Sequence, residues 1–104
     1  MDRIAALRAF VDQRPDDPFP RYGLALELAG AGDHVGAWSQ FEVLLERFPD
    51  YVASYLMAGG TLVALDRRGD AAEVYRRGIE AAGRAGDGHA RGELEAALAE
   101  ISGV

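Results

Sequence analysis

The sequence matches itself when it is displaced by 34 residues. Small residues then fall on small residues, and apolar residues fall on apolar ones. The matched pairs are Ala25 with Gly59, Leu28 with Leu62, Ala37 with Ala71, Phe41 with Tyr75, and Leu45 with Ile79. A fixed period of this length indicates copies of one supersecondary unit, because each unit buries its apolar face only against its neighbours.

Within this period the apolar residues recur at helical spacing, and no segment alternates with a period of two. Breaks at proline, glycine and aspartate divide the chain into six predicted helices. They run from Asp2 to Arg14, from Pro18 to Gly30, from Asp33 to Phe48, from Asp50 to Arg67–Gly69, from Asp70 to Gly83, and from Ala90 to Ile101. We expect aspartates to cap these helices, because a carboxylate accepts hydrogen bonds from the free amides of a first turn. The candidates are Asp2, the pair Asp16–Asp17, Asp33, Asp50 and Asp70. Short loops favour antiparallel neighbours, so the fold class is all-α with about six antiparallel helices.

A helix-turn-helix unit with this period resembles the tetratricopeptide repeat family, of the small bacterial type. The residues that carry the resemblance are Ala25 and Gly59 on the first helices, Ala37 and Ala71 on the second helices, the aromatics Phe41 and Tyr75, and the closing proline Pro49. The resemblance implies an α-α superhelix. Its single domain spans 1–104, with one repeat at 18–51, a second at 52–85, a flanking helix in 1–15 and a capping helix in 86–104.

The chain departs from the family pattern at four positions. Arg21 and Tyr55 occupy the usual tryptophan position of the first helix, and Gly83 replaces the second closing proline. Glu93 is in register with the small residues of the first helices, but a charged side chain of that size prevents a close helix contact. We therefore expect the last helix to cover an open end of the superhelix and to have no second helix of its own.

Charge and composition exclude several classes of partner. Seventeen acidic residues outnumber eleven basic ones, and the net charge of −6 repels nucleic acid and anionic membranes. There is no cysteine, so disulfides and thiolate metal sites are excluded. No apolar stretch is long enough to span a bilayer, and the first residues lack the apolar core of a signal peptide. The prediction is a cytoplasmic protein without nucleic-acid or membrane partners.

Residues with chemistry of their own are scattered along the sequence. His34 and His89 are 55 positions apart and have no second metal ligand at helical spacing. Glu42 and Glu46 share one helix face, which a solvated outer surface explains. The glycine clusters lie between predicted helices and match no phosphate-binding motif. We therefore predict no catalytic residues, no metal site and no cofactor.

The resemblance implies a different kind of site. In the tetratricopeptide family the first helices of successive repeats line a concave groove that holds peptides or partner helices. The positions carried over are Phe19, Tyr22 and Leu26 from the first repeat, Leu56, Gly60 and Val63 from the second, and Ala90 and Leu94 from the last helix. This lining is apolar and has no cation, so the carboxylate clamp of the family's co-chaperones is not expected. Alternatively, the last helix covers these residues and makes them core.

The predicted function is non-catalytic protein–protein interaction by an adaptor or scaffold. Its groove would hold an apolar peptide or an amphipathic helix from a protein partner. Two alternatives stay open at this point. The chain could be a homo-oligomeric structural unit that associates through its groove or an end repeat, or it could be an accessory subunit or a small enzyme with an unrecognised site.

Overall fold

The computed structural model describes residues 2–103. Over that range the chain folds into six α-helices and contains no β-strand. They are α1 (Arg3–Gln13), α2 (Pro18–Gly30), α3 (His34–Arg47), α4 (Ala53–Ala64), α5 (Arg68–Ala85) and α6 (Gly88–Ile101). The all-α prediction is confirmed, and each helix lies within a few residues of its predicted place.

Three of the predicted helix caps are confirmed, and Asp17 is the one that caps α2, by accepting from the Phe19 amide at 3.0 Å. The Asp2 carboxylate accepts a hydrogen bond from the Ala5 amide at 2.7 Å. The Asp33 carboxylate accepts one from the Gly36 amide at 2.8 Å. Each carboxylate satisfies an amide that has no partner within the first turn, so these two aspartates fix where α1 and α3 begin.

The other two predicted caps are wrong. The residue at the N-cap of α4 is Val52, which makes no side-chain cap. Asp50 lies before it, and its carboxylate instead accepts from the Arg84 guanidinium at 3.2 Å. Helix α5 begins at Arg68, so Asp70 lies inside its first turn and accepts from Arg67 Nε at 2.9 Å. An acidic side chain in the first turn interacts favourably with the positive end of the helix dipole, although it does not cap the helix.

The earlier start of α5 follows from the turn before it. Asp66 has a φ of 59°, the left-handed conformation that Gly32 adopts one period earlier with a φ of 86°. After Asp66 the Arg67 amide donates to the Leu62 carbonyl at 2.8 Å, just as the Asp33 amide donates to Leu28 after Gly32. This is the hydrogen bond of a Schellman motif. Helix α4 therefore ends before Asp66, and the predicted end at Arg67–Gly69 is wrong.

Helices α4 and α5 interlock through two tyrosines and two glycines. A Cβ atom at Gly59 of α4 would lie 2.6 Å from Cδ1 of Tyr75 of α5. A Cβ atom at Gly78 of α5 would lie 2.9 Å from Cγ of Tyr55 of α4. Each ring fills the space that a missing side chain leaves, so the predicted close approach at Gly59 is confirmed.

The first helix pair divides the same space differently. One period before Tyr55 stands Arg21, and one period before Gly78 stands Leu44, which is completely buried. The second pair thus combines tyrosine on its first helix with glycine on its second helix. The first pair combines arginine with leucine at the same two positions. The register is shared, but the residues at these positions differ between the two pairs.

Consecutive helices pack against one another along the chain, and α4 also contacts both α2 and α6. The core runs through the pairs and is filled by large buried side chains such as Leu24, Phe41, Tyr55 and Leu62. The Tyr55 hydroxyl donates to the Pro49 carbonyl at 2.6 Å, which ties α4 to the turn before it. Helices α2, α4 and α6 consequently lie side by side on one face of the molecule. None of the described helices combines the length and apolarity needed to cross a membrane.

Candidate binding groove

A cleft of about 200 Å³ lies where α2, α4 and α6 meet. We refer to it as the groove. It is lined by Tyr22, Val52, Ala53, Leu56, Met57, Ala90, Glu93 and Leu94. The three helices contribute one wall each, because the small residues Ala53 and Ala90 leave room between the larger ones.

The structure brings four of the predicted groove residues together. Tyr22, Leu56, Ala90 and Leu94 all line the groove. Leu94 is only 1% exposed and forms part of the floor, so it serves the core as well as the cleft. Tyr22 and Leu56 are half-buried and present the rest of their surface to the cleft.

The other four predicted residues lie outside this lining. Phe19 is 69% exposed in the first turn of α2, one of the most exposed large apolar side chains in the described chain. Leu26 and Val63 are half-buried against the core, and Gly60 is exposed with no atom within 4 Å of the place where its Cβ would stand. The cleft therefore lies toward the start of α4 and α6 and does not extend along the whole face.

Sequence reasoning missed four residues of the lining. Ala53 stands one period after Phe19, so the repeat register could have identified it. Val52 lies before α4, and Met57 is in register with Gly23, so the pattern carried no signal for either. Glu93 was predicted only to prevent a close helix contact; its exposed side chain lines the groove and lies 3.3 Å from His89.

The Tyr22 side chain is held in the groove by two other aromatic rings. Its ring makes an edge-to-face contact with Phe41 at 6.4 Å between centroids and another with Tyr51 at 5.6 Å. Burial raises the pKa of the Tyr22 hydroxyl, with a further contribution from Tyr51. An aromatic side chain held between two others is a rigid surface that loses little entropy when a ligand covers it.

The charges beside the groove are acidic. Glu93 is the single charged residue among the described residues that line it. On the α2 side, Asp17 caps the helix by accepting from the Phe19 amide at 3.0 Å. Asp17 also adds to the effect of burial in raising the pKa of Tyr51, so its carboxylate acts on the same aromatic group. The groove thus has an apolar lining with one carboxylate, Glu93, and Asp17 acts on Tyr51, which contacts the lining residue Tyr22.

A second cleft, of about 260 Å³, lies among α1, α2 and α3 and is polar. The Arg21 guanidinium donates to Gln40 Oε1 at 2.8 Å, and Arg8 and Asp12 stand beside them. Burial lowers the pKa of Arg21, and the charge of Arg47 lowers it further. Asp12 offsets this concentration of positive charge. Within residues 2–103, no three histidine, aspartate or glutamate side chains are grouped so that they could hold a metal ion.

Two solved structures of a tetratricopeptide repeat domain protein from Salinibacter ruber share this architecture. The crystal structure has 38% sequence identity and a TM-score of 0.80, and the match covers 86% of this chain and 99% of that one. The chain belongs to the tetratricopeptide repeat family. The solution structure agrees, with 39% identity, a TM-score of 0.81, and coverage of 86% and 91% of the two chains.

A tetratricopeptide-like arrangement also recurs in a protein from Bordetella parapertussis. Its solution structure has a TM-score of 0.82 over 98% of this chain and 89% of that one, at 24% identity, which shows the fold alone. No family model matches the sequence, and no curated protein matches it. As a tetratricopeptide protein, the chain is a helical repeat module of a protein-interaction type, and such repeats are typically non-catalytic.

Proposed function

We propose that this tetratricopeptide protein is a non-catalytic adaptor that holds an apolar peptide or an amphipathic helix of a protein partner in the groove. The observation that carries the proposal is an open apolar cleft with a rigid wall. Met57 is 40% exposed in its lining, and the Tyr22 ring opposite is held by two other aromatic rings. Covering such a surface removes apolar area from water at little entropic cost.

The size of the groove limits what it can accept. A volume of about 200 Å³ suits one large side chain of a ligand. For comparison, an apolar cavity of about 150 Å³ in another protein binds benzene. The ligand would therefore insert one phenylalanine, leucine or similar residue and lay the rest of its apolar face over Leu56 and Met57.

The charges select the sequence around that side chain. Glu93 lines the groove, and the whole chain carries a net charge of −6. Lysine or arginine on either side of the inserted residue would therefore be attracted, whereas an acidic tail would be repelled. Because these pairs are exposed, they would select among ligands more than they would add affinity.

A selection from a displayed peptide library tests this function. The library is selected on the wild-type protein and counter-selected on the Met57→Glu variant, whose new charge lies inside the groove. We expect peptides with one or two large apolar residues and nearby lysine or arginine. The matched control is Val35→Glu, the same kind of change on α3 at a residue that is 68% exposed and lies outside the groove.

The selected peptides are then titrated into all three proteins by fluorescence anisotropy. Binding to wild type and Val35→Glu should be equal, and Met57→Glu should weaken it by at least about thirtyfold, the usual cost of losing a central contact. Equal binding to Met57→Glu and wild type would remove the groove as the site.

A further inference from the structure

Helix α1 carries an apolar face that the described chain leaves open. Phe10 is 51% exposed on this face. Together with Ala6, Ala9 and Gln13 it borders a shallow depression of about 200 Å³. Among the described helices α1 packs against α2 alone, through its opposite side. We refer to these four residues as the Phe10 face.

The repeat register shows what kind of contact this face lacks. One period after Phe10 stands Leu44, which is fully buried, and two periods after it stands Gly78, also buried. At Gly78 the neighbour is Tyr55, on the first helix of the same pair. The Phe10 face therefore corresponds to a surface that packs against a helix in the two complete pairs.

Arginines stand at both ends of the Phe10 face. Arg3 precedes Phe10 by seven residues and Arg14 follows it by four, spacings that place residues on one side of a helix. Both residues are exposed. The Arg3 side chain also pairs with Glu27 and remains 76% exposed in that pair. The face thus combines a central aromatic ring with a cation at each end.

An aromatic ring flanked by cations is the kind of ligand that the proposed function assigns to the groove. We infer that the Phe10 face of one copy of the chain docks in the groove of a second copy, with the Phe10 ring in the cleft. The inference rests on the function proposed above and names the occupant of that site. The cleft volume fits one aromatic ring, and the cations Arg3 and Arg14 complement Glu93 in the lining and the net charge of −6.

Such a contact joins two different surfaces. Each copy has one Phe10 face and one groove, so the interface is heterologous and further copies can add in the same way. Association would increase with concentration and would produce either a closed ring of copies or a linear oligomer. A ligand that occupies the groove would displace the neighbouring copy, so self-association and partner binding would compete.

The inference is tested with variants of the full chain in which one of the two surfaces is disrupted. Phe10→Glu removes the ring and places a negative charge at the centre of the face, and Met57→Glu places one in the groove. Both residues are well exposed, so both variants should keep the wild-type helix content and melting behaviour. The control Ala5→Glu adds the same charge to α1 at an exposed residue outside the Phe10 face.

Molar mass is measured by sedimentation across a concentration series. We expect wild type and Ala5→Glu to associate as concentration rises, and each broken variant alone to remain monomeric. Mixing Phe10→Glu with Met57→Glu should restore a species of twice the monomer mass, since one intact groove then meets one intact Phe10 face. Phe10→Gln, a neutral change, should weaken association by at least about thirtyfold.

Three outcomes would overturn the inference. These are a wild type that stays monomeric at millimolar concentration, a mixture of the two variants that stays monomeric, and broken variants that still associate alone. The library-selected peptides separate this failure from failure of the groove. If they bind Phe10→Glu as tightly as wild type while wild type is monomeric, the proposed function holds and only the second-copy occupant is wrong.

Discussion

The ring of Tyr75 in α5 occupies the space that the side chain of any residue larger than glycine would need at Gly59 in α4. Cδ1 and Cζ of the ring both lie 2.6 Å from the position of that missing Cβ. The two residues thus set how closely the two helices of the second pair approach. Any larger residue at position 59 must displace the ring or separate the helices.

We therefore expect Gly59→Leu to lower the free energy of unfolding by about 1–3 kcal/mol, although leucine favours helix formation over glycine. Urea denaturation followed by circular dichroism measures the change. Gly60→Ala is the matched control on the same helix, where no atom lies within 4 Å of the added Cβ. That variant should gain up to about 1 kcal/mol. A Gly59→Leu protein that is more stable than wild type would contradict the close contact.

A second prediction concerns the left-handed residue after α4. Asp66 has a φ of 59°, a conformation that glycine adopts without steric cost. Asp66→Gly should raise the free energy of unfolding by roughly 0.5–1 kcal/mol, and Asp66→Val should lower it by about 1 kcal/mol or more. Thermal and urea unfolding of the two variants measure both effects. If both variants were equally stable, backbone conformation would not be what the turn requires.

The floor of the groove supplies a third prediction. Leu94 is 1% exposed, and its Cδ2 lies 3.0 Å from the place where a Cβ of Gly78 would stand. Leu94→Ala should cost about 2–5 kcal/mol, because it removes buried methyl groups and leaves a cavity beneath the groove. Denaturation curves should show an earlier midpoint. The conservative Leu94→Met should cost less than about 1.5 kcal/mol, and an equal loss for both would argue against packing as the cause.

The tyrosines predict how stability depends on pH. Burial is the main cause of a raised pKa at four tyrosines, which are Tyr22, Tyr51, Tyr55 and Tyr75. A phenol with a raised pKa in the folded state keeps its proton longer than in the unfolded chain. The unfolded state therefore binds fewer protons above pH 10, and stability falls as pH rises through the folded-state pKa.

Absorbance at 295 nm reports tyrosinate directly. Titration of the folded protein should show midpoints above those in concentrated urea, and urea midpoints should fall progressively above pH 10. Below pH 9 these groups should contribute no slope. Coincident titrations in buffer and in urea would show that the phenols are not shielded by the fold.

The repeat register predicted the architecture because it depends on volume. Gly59 opposite Tyr75 and the buried Leu24, Phe41 and Leu62 follow from which positions must be small or apolar for helices to touch. The Asp33 cap was also predictable, because its interactions are local. In these cases the determinant lies within one helix or one neighbouring pair.

Features that depend on several helices at once were not predictable. Asp50 precedes a helix as a cap would, yet its carboxylate pairs with Arg84 from another helix. Leu26 and Val63 were predicted to line the groove, but the cleft forms only where α2, α4 and α6 converge beside small residues. Its position is set by how α6 packs against α4, which no pattern along a single helix encodes.

The two helix pairs combine different residues in one register, Tyr55 with Gly78 and Arg21 with Leu44, and this restricts how the protein could be lengthened or recombined. A duplication of α4 together with α5 would keep Tyr55 together with Gly78, so the packing between the two helices would be preserved. A hybrid that joined α2 directly to α5 would place Arg21 opposite Gly78, so a flexible, charged side chain would replace the tyrosine that packs against this glycine. Joining α4 to α3 would force Tyr55 against Leu44. Segments of this array are therefore best duplicated or exchanged as whole helix pairs, joined at the loops between pairs.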